Sequence, residues 1–273
     1  MGLVSRFIST PLSHWLKRPR LGRNIPLSDF ERIRHELKPG DVLLVEGRTR
    51  ISEVIKVVTQ SPWSHAALYV GRLHDIENEA VRAAVIHRSA FSPNTQLIIE
   101  SQLGTGTLVC ALTEYANHHL RICRPVGLSA DDAQTISAHA IKSLGRDYDV
   151  RQILDLARFL FPWGILPRRW RSSLFRQRAG TETRTVCSTM IAEAFAAVEF
   201  PILPLVQRNE QGRVRLYRRN PKLCTPSDFD YSPYFEIIKY PFMDFYHEAV
   251  SYTHLRAHET LRYLVCRRRV EKK

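Results

Sequence analysis

Five short apolar runs, with no helix recurring between them at a fixed interval, constrain this chain most. Asp41–Val45 (DVLLV), His65–Val70 (HAALYV), Gln96–Ser101 (QLIIES), Thr107–Ala111 and His119–Cys123 (HLRIC) each have the length and composition of a strand. Gly71 closes the second run, Gly104 and Gly106 place a turn before the fourth, and Pro125 ends the fifth. Helical signals fall irregularly among them. Ser28 and Glu31 form a capping-box pattern that predicts a helix to about Leu37, stopped by Lys38-Pro39-Gly40. Ile51, Val54, Ile55 and Val58 share one helical face, and Ser61-Pro62 breaks it. Ala130–Leu144, Arg151–Leu160 and Cys187–Val198 read as further helices. Residues 72–95 are polar and turn-rich, with a strand expected near Val81–His87. After Pro201 the pattern predicts Pro- and Arg-rich loops with short strands, including Phe235–Lys239. Without a βαβ repeat, the class is α+β rather than a doubly wound sheet.

The 273 residues, 44% of them hydrophobic and 25% charged, suffice for a real core and exclude a disordered chain. No run approaches the roughly 18 apolar residues of a spanning helix. Five cysteines in such a length are no disulfide framework. The net charge of +13 includes Ser251–Lys273 (SYTHLRAHETLRYLVCRRRVEKK), which resembles translated sequencing-adaptor read-through and is expected to be a non-native tail over 250–273. Without those 23 residues, 33 basic and 25 acidic residues remain, still a net of +8 that favours anionic partners. Residues 1–27 contain no Asp or Glu but carry Arg6, Lys17, Arg18, Arg20 and Arg23 beside Phe7 and Trp15. They lack the apolar core and cleavage site of a secretory signal, and Arg6 stands where a myristoylation motif wants Ser or Thr. This basic arm reads either as a segment lying on an anionic membrane or as a solvated terminus. The domain proper is expected over 28–249.

Cys187 begins an apolar helix in TVCSTMIAEAFAAV. A thiol there feels the positive end of the helix dipole, which favours the nucleophilic thiolate. On position alone it reads more readily as a small residue packing the helix start. A nucleophilic Cys needs a base and a group that orients the base. His65, held rigidly at the start of a strand, is the best base, with Trp63 placed to shield it. Glu100 ends an apolar strand, where a carboxylate must be paired or reach water, and it could fix the His65 tautomer. His35, His74, His87, His118, His119 and His139 have weaker settings, and Cys110 and Cys123 read as core.

In order, KPGDVLLVEG, SPWSHAALYVG, IIES, GRDYDVRQILDL, TVCSTMIAEAF and TPSDFDYSPYFEIIK resemble the permuted papain-like cysteine hydrolases, the YiiX/YebB-like branch of the NlpC-type amidase superfamily. The similarity runs over about residues 38–240, with His65 ahead of Cys187 in the permuted order. It implies a circularly permuted papain-like core, a small mixed or antiparallel sheet packed against the helix that carries the Cys. It also implies Cys187 as nucleophile, His65 as base and Glu100 as the polar residue that orients it. Tyr148, in GRDYD, matches a recurrent motif and, with Trp63, is expected to line the substrate pocket. Residues 72–95 are a longer insertion than a minimal member carries.

The chemistry so implied is acyl transfer: the Cys187 sulfur attacks an amide or ester carbonyl, helix-start amides hold the oxyanion, and His65 passes the proton to the leaving group. Peptide-like amides and lipid acyl groups are the substrate classes. Arg158, Arg168, Arg169, Arg171, Arg176 and Arg178 lie among Leu, Phe and Trp, which suits a membrane surface or a core helix followed by a solvated loop. The cytoplasm or the inner membrane surface is the expected location. A catalytically inactive lipid- or membrane-binding module is the alternative. Nucleic-acid binding is less favoured, because no recognition motif accompanies the arginines. No C-x-x-C or H-E-x-x-H occurs, so neither a metal nor another cofactor is implied.

Overall fold

The computed structural model describes residues 27–88, 90–102, 105–146, 187–208, 214–217 and 219–241. The chain divides after Tyr240 into two units, and of the second only Pro241 is among the described residues. The basic arm 1–26, Tyr148, the Arg158–Arg178 cluster, the helix expected at Arg151–Leu160 and the tail 250–273 all lie outside them.

The elements in order are α1 (Phe30–Glu36), β1 (Val42–Glu46), α2 (Arg50–Thr59), β2 (His65–Gly71), α3 (Glu79–Arg88), β3 (Leu97–Gln102), β4 (Gly106–Ala111), β5 (His119–Pro125) and α4 (Ala130–Lys142). Then come α5 (Cys187–Ala197), β6 (Leu205–Arg208), β7 (Val214–Tyr217), α6 (Pro226–Tyr231) and β8 (Phe235–Ile238). Six strands form one sheet in the order β4-β3-β2-β1-β5-β8, and every neighbouring pair is antiparallel. β6 and β7 pair separately. The class is therefore α+β, and the sheet is wholly antiparallel rather than mixed.

The apolar runs are continuous because both sheet faces are covered. Val42, Leu44, Ala66, Leu68, Leu97 and Ile99 pack with Ile136, Ala140, Met190, Ile191 and Phe195 of α4 and α5. Their neighbours Leu43, Val45, Ala67, Tyr69 and Ile98 pack on the other face with Ile33 and Leu37 from the α1 region. Alternate residues of one strand thus belong to two cores, so a one-residue slip would exchange them.

α5 is fixed at its far end. Glu199 takes a left-handed conformation (φ 57°), the Phe200 N–H donates to the Phe195 carbonyl at 3.0 Å, and the Glu199 N–H donates to Ala196 at 3.2 Å. This is a Schellman stop, and its hydrophobic closure is the Phe195–Phe200 ring contact at 5.5 Å. Phe235 of β8 packs edge-on against Phe195 at 5.4 Å, and Phe229 of α6 packs against both rings. This aromatic cluster holds the helix against the sheet.

Three local expectations are corrected. Asp29, not Ser28, caps α1 by accepting the Arg32 N–H, while the buried Ser28 hydroxyl bonds His119 and the Leu120 backbone. Val81–His87 is helical, because Val81 and Val85 fall one turn apart and are buried by the α4 side. The segment after Pro201 contains α6, whose capping box pairs Thr225 with Asp228 and whose first turn accepts Pro226.

Candidate active site

β1 and β2 pair so that Val45 faces His65, and β5 begins opposite Glu46 with His119. His65 therefore stands at one end of the central strands. The turn before it is tightly bonded: the Ser64 N–H donates to the Val45 carbonyl at 3.2 Å, and the Ser64 hydroxyl accepts the Gly47 N–H at 2.9 Å. Trp63 is fully buried, stacked on His119 at 5.3 Å, covered by Arg121, and donates its indole N–H to Asp230. It anchors the turn.

α5 packs on β2 and β3 and brings Cys187 beside His65, close enough for each group to shift the other's protonation. His65 Nε2 is bonded to Glu100 Oε2, which leaves Nδ1 for the sulfur. Cys187 is 5% exposed and Glu100 is completely buried. The backbone N–H groups of Ala66 and Ser188 also favour the thiolate. Burial disfavours a charged imidazole, but the Cys187 thiolate and then Glu100 outweigh it and push His65 up to about 10. Burial likewise opposes the thiolate, yet His65 and the two amides hold Cys187 below the ordinary thiol range. Glu100 is held at about 2 against its own burial, by the His65 charge and by hydrogen bonds. The arrangement favours a thiolate–imidazolium pair backed by a carboxylate.

Sequence reasoning missed the rest of the Glu100 environment. Tyr115, in a short 3₁₀ turn after β4, donates its hydroxyl to Glu100 Oε2 and stacks on His65 with ring centroids 6.2 Å apart. Cys110 does lie in the core, but its thiol donates to Glu100 Oε1 at 3.1 Å, and Gln102 donates to the same oxygen at 2.8 Å. The β3–β4 register, which sets Ile98 opposite Cys110 and Glu100 opposite Leu108, was the one available signal for Cys110. For Tyr115 there was none. His118 packs edge-on against Tyr115 at 5.3 Å, and burial, then Arg48 and His65, lower its basicity.

Among the described residues, no group of three or more His, Cys, Asp or Glu side chains is placed to hold a metal ion. No described helix is long and apolar enough to cross a membrane. A cavity of about 250 Å³ lies between α5 and residues 200–204, lined by Ala192, Ala196 and Phe200, on a face of α5 that does not carry Cys187.

Residues 36–158 match the sequence model of the permuted papain-like amidases, the YaeF/YiiX C92 family, which is the family the six segments resemble. That span includes His65 and Glu100 and ends before Cys187. Among solved structures, the chain is similar to the metalloprotein YiiX from Escherichia coli O157:H7, at 14% identity and a TM-score of 0.44, over 74% of this chain and 97% of that one. No curated protein matches it.

Proposed function

We propose, from the match to the permuted papain-like amidases, that this chain is a cysteine-dependent hydrolase or acyltransferase acting on an amide or ester through a thioacyl-enzyme. The observation that carries this reading is the Glu100–His65 hydrogen bond with Cys187 beside the imidazole at the head of α5. A buried thiol depressed by a charged partner is the form that attacks carbonyl carbon at neutral pH.

In this mechanism Cys187 is the nucleophile and His65 the acid and base. The Cys187 proton resides on His65 Nδ1, and the thiolate adds to the carbonyl. Backbone amides at the start of α5 stabilise the oxyanion in a water-poor setting. As the carbonyl reforms, the C–N or C–O bond breaks and Nδ1–H gives its proton to the departing nitrogen or oxygen. Water or another acceptor, activated by the now neutral imidazole, then cleaves the thioester and returns the proton. Glu100 keeps Nε2 protonated throughout, which presents Nδ1 to the sulfur.

The acyl donor we favour is peptide-like or a lipid acyl group. The basic arm 1–27 and the Arg158–Arg178 cluster would bring a cytoplasmic site to the anionic inner membrane surface.

The test is the pH dependence of Cys187 alkylation by iodoacetamide, read on the Cys187-containing peptide, in wild type and His65→Ala. Labelling well below the ordinary thiol range that moves up without His65 supports an activated thiolate. An ordinary thiol profile, unchanged in the variant, would sink the catalytic reading in favour of an inactive binding module.

A further inference from the structure

Glu100 carries more hydrogen bonds than orienting one histidine requires. An ionised carboxylate has about four lone-pair directions. Here Oε2 accepts from His65 and Tyr115, and Oε1 accepts from Gln102 and Cys110. Glu100 is wholly buried, and protein donors take all four directions. Protonating the carboxylate would require one of the four donors to leave.

We propose that Tyr115 is a positioning residue of this site, holding Glu100 as an anion with no free lone pair, so that the Nε2 proton stays on His65 and the imidazole stays charged until the leaving group takes the Nδ1 proton. The inference rests on the catalytic reading of Cys187 and His65. Its chemistry is balanced without a further reactant. The proton moves from the Cys187 sulfur to His65 Nδ1 and then to the leaving nitrogen or oxygen. The Nε2 proton and the Tyr115 proton stay where they are.

Two features single out Tyr115 among the donors. Its hydroxyl shares Oε2 with His65, so it competes directly for the lone pairs that the Nε2 proton would otherwise move onto. Its ring lies nearly parallel to the imidazole, at 20°, and restricts rotation of His65 about its side chain. Burial, and then the Glu100 charge, push the Tyr115 hydroxyl and the Cys110 thiol far above their ordinary ranges, so neither gives up its proton to Glu100. The other charged or titratable groups bearing on the cluster are Cys187 from α5, Arg48 before α2, His118 before β5, and Glu114 beside Tyr115. Tyr115→Phe changes none of them and keeps the ring.

The experiment compares wild type, Tyr115→Phe and Tyr115→Ala in the full chain. Two titrations are read: the carboxyl carbon of Glu100 by NMR in glutamate-labelled protein, and the acid limb of Cys187 alkylation. The expected result is that Tyr115→Phe raises the Glu100 midpoint by about 1 pH unit and moves the alkylation limb upward with it, and that Tyr115→Ala adds little further shift. A Tyr115→Phe protein with both titrations unchanged, while only Tyr115→Ala is impaired, would assign Tyr115 to packing and overturn the inference. Thermal unfolding of both variants separates loss of fold from loss of the hydrogen bond. An ordinary thiol profile in wild type fails the catalytic reading itself. An activated wild-type profile that Tyr115→Phe leaves unmoved fails this inference alone.

Discussion

Replacing Glu100 by Gln keeps the shape of the site and removes its charge. Glutamine offers one acceptor oxygen and one NH2 group, so two of the four donors around Glu100 must then face a donor. The better orientation keeps the oxygen on His65 and Tyr115 and turns the NH2 toward Cys110 and Gln102, whose own amide can turn to accept. The fold survives that exchange, and the loss falls on the imidazolium. His65 is lifted from 6.5 to about 10 against its burial, by Cys187 first and Glu100 second. Assigning Glu100 somewhat less than half of the lift gives on the order of 1–1.5 pH units, or about 1.4–2 kcal/mol of lost stabilisation of the ion pair. The His65 midpoint, read by nitrogen NMR of the ring-labelled protein, should fall by that amount. The kinetic consequence falls on the alkaline limb of the p-nitrophenyl acetate burst, which His65 deprotonation sets and which should move down by the same roughly 1–1.5 pH units. A Gln variant whose His65 midpoint stays at the wild-type value would refute the assignment of Glu100 as electrostatic support.

Other perturbations test the frame around the site. Glu199→Gly relieves the left-handed backbone at the end of α5 and should stabilise the protein by about 0.5–1 kcal/mol in a denaturant titration. Phe195→Ala empties the centre of the aromatic cluster and should cost about 3–5 kcal/mol, with slower alkylation of Cys187 because α5 loosens. Arg124→Met leaves Asp41, 1% exposed, without the guanidinium at 2.9 Å that neutralises it, and should cost about 3–5 kcal/mol at neutral pH, less in acid where Asp41 is protonated. The raised His65 contributes stability that is complete below 6.5 and is lost as pH rises through about 10, so the stability gap between wild type and His65→Ala should narrow over that window. Glu100, depressed to about 2, contributes in full above 4.5 and loses that contribution progressively as pH falls from 4.5 through about 2, so the stability gap between wild type and Glu100→Gln should close over that acid window.

What could be read in the sequence follows what is local. The strands around Val42–Val45, Ala66–Val70 and Leu97–Ile99 were visible because both of their faces are buried and nothing polar interrupts them. Cys187 was visible because a small reactive residue opens an Ala-rich helix, and His65 because a breaker and a strand bracket it. α3 was hidden because valines one turn apart resemble strand residues until the burying surface is known. Ser28 was misread because its hydroxyl is claimed by His119 and Leu120, more than 90 positions away. Tyr115 was unreadable for the same kind of reason: only the 3₁₀ turn after β4 returns its ring to His65, and no periodicity encodes that return. Trp63 was recognised as a neighbour of His65, but its burial depends on Asp230 and Arg121, which arrive from distant elements.

The order of these parts along the chain has a consequence for synthesis. The base and its carboxylate lie on β2 and β3, and the strands on either side of them, β1, β4 and β5, are all made before α5. The sulfur meets its activating partner only when α5 docks, and the docking surface is completed by Phe229 and Phe235, which emerge later still. Until then Cys187 has the chemistry of an ordinary thiol. On the proposed mechanism the nucleophile would thus be activated only once α5 has docked, and a nascent chain that ends before α6 and β8 would still lack part of the surface that holds it.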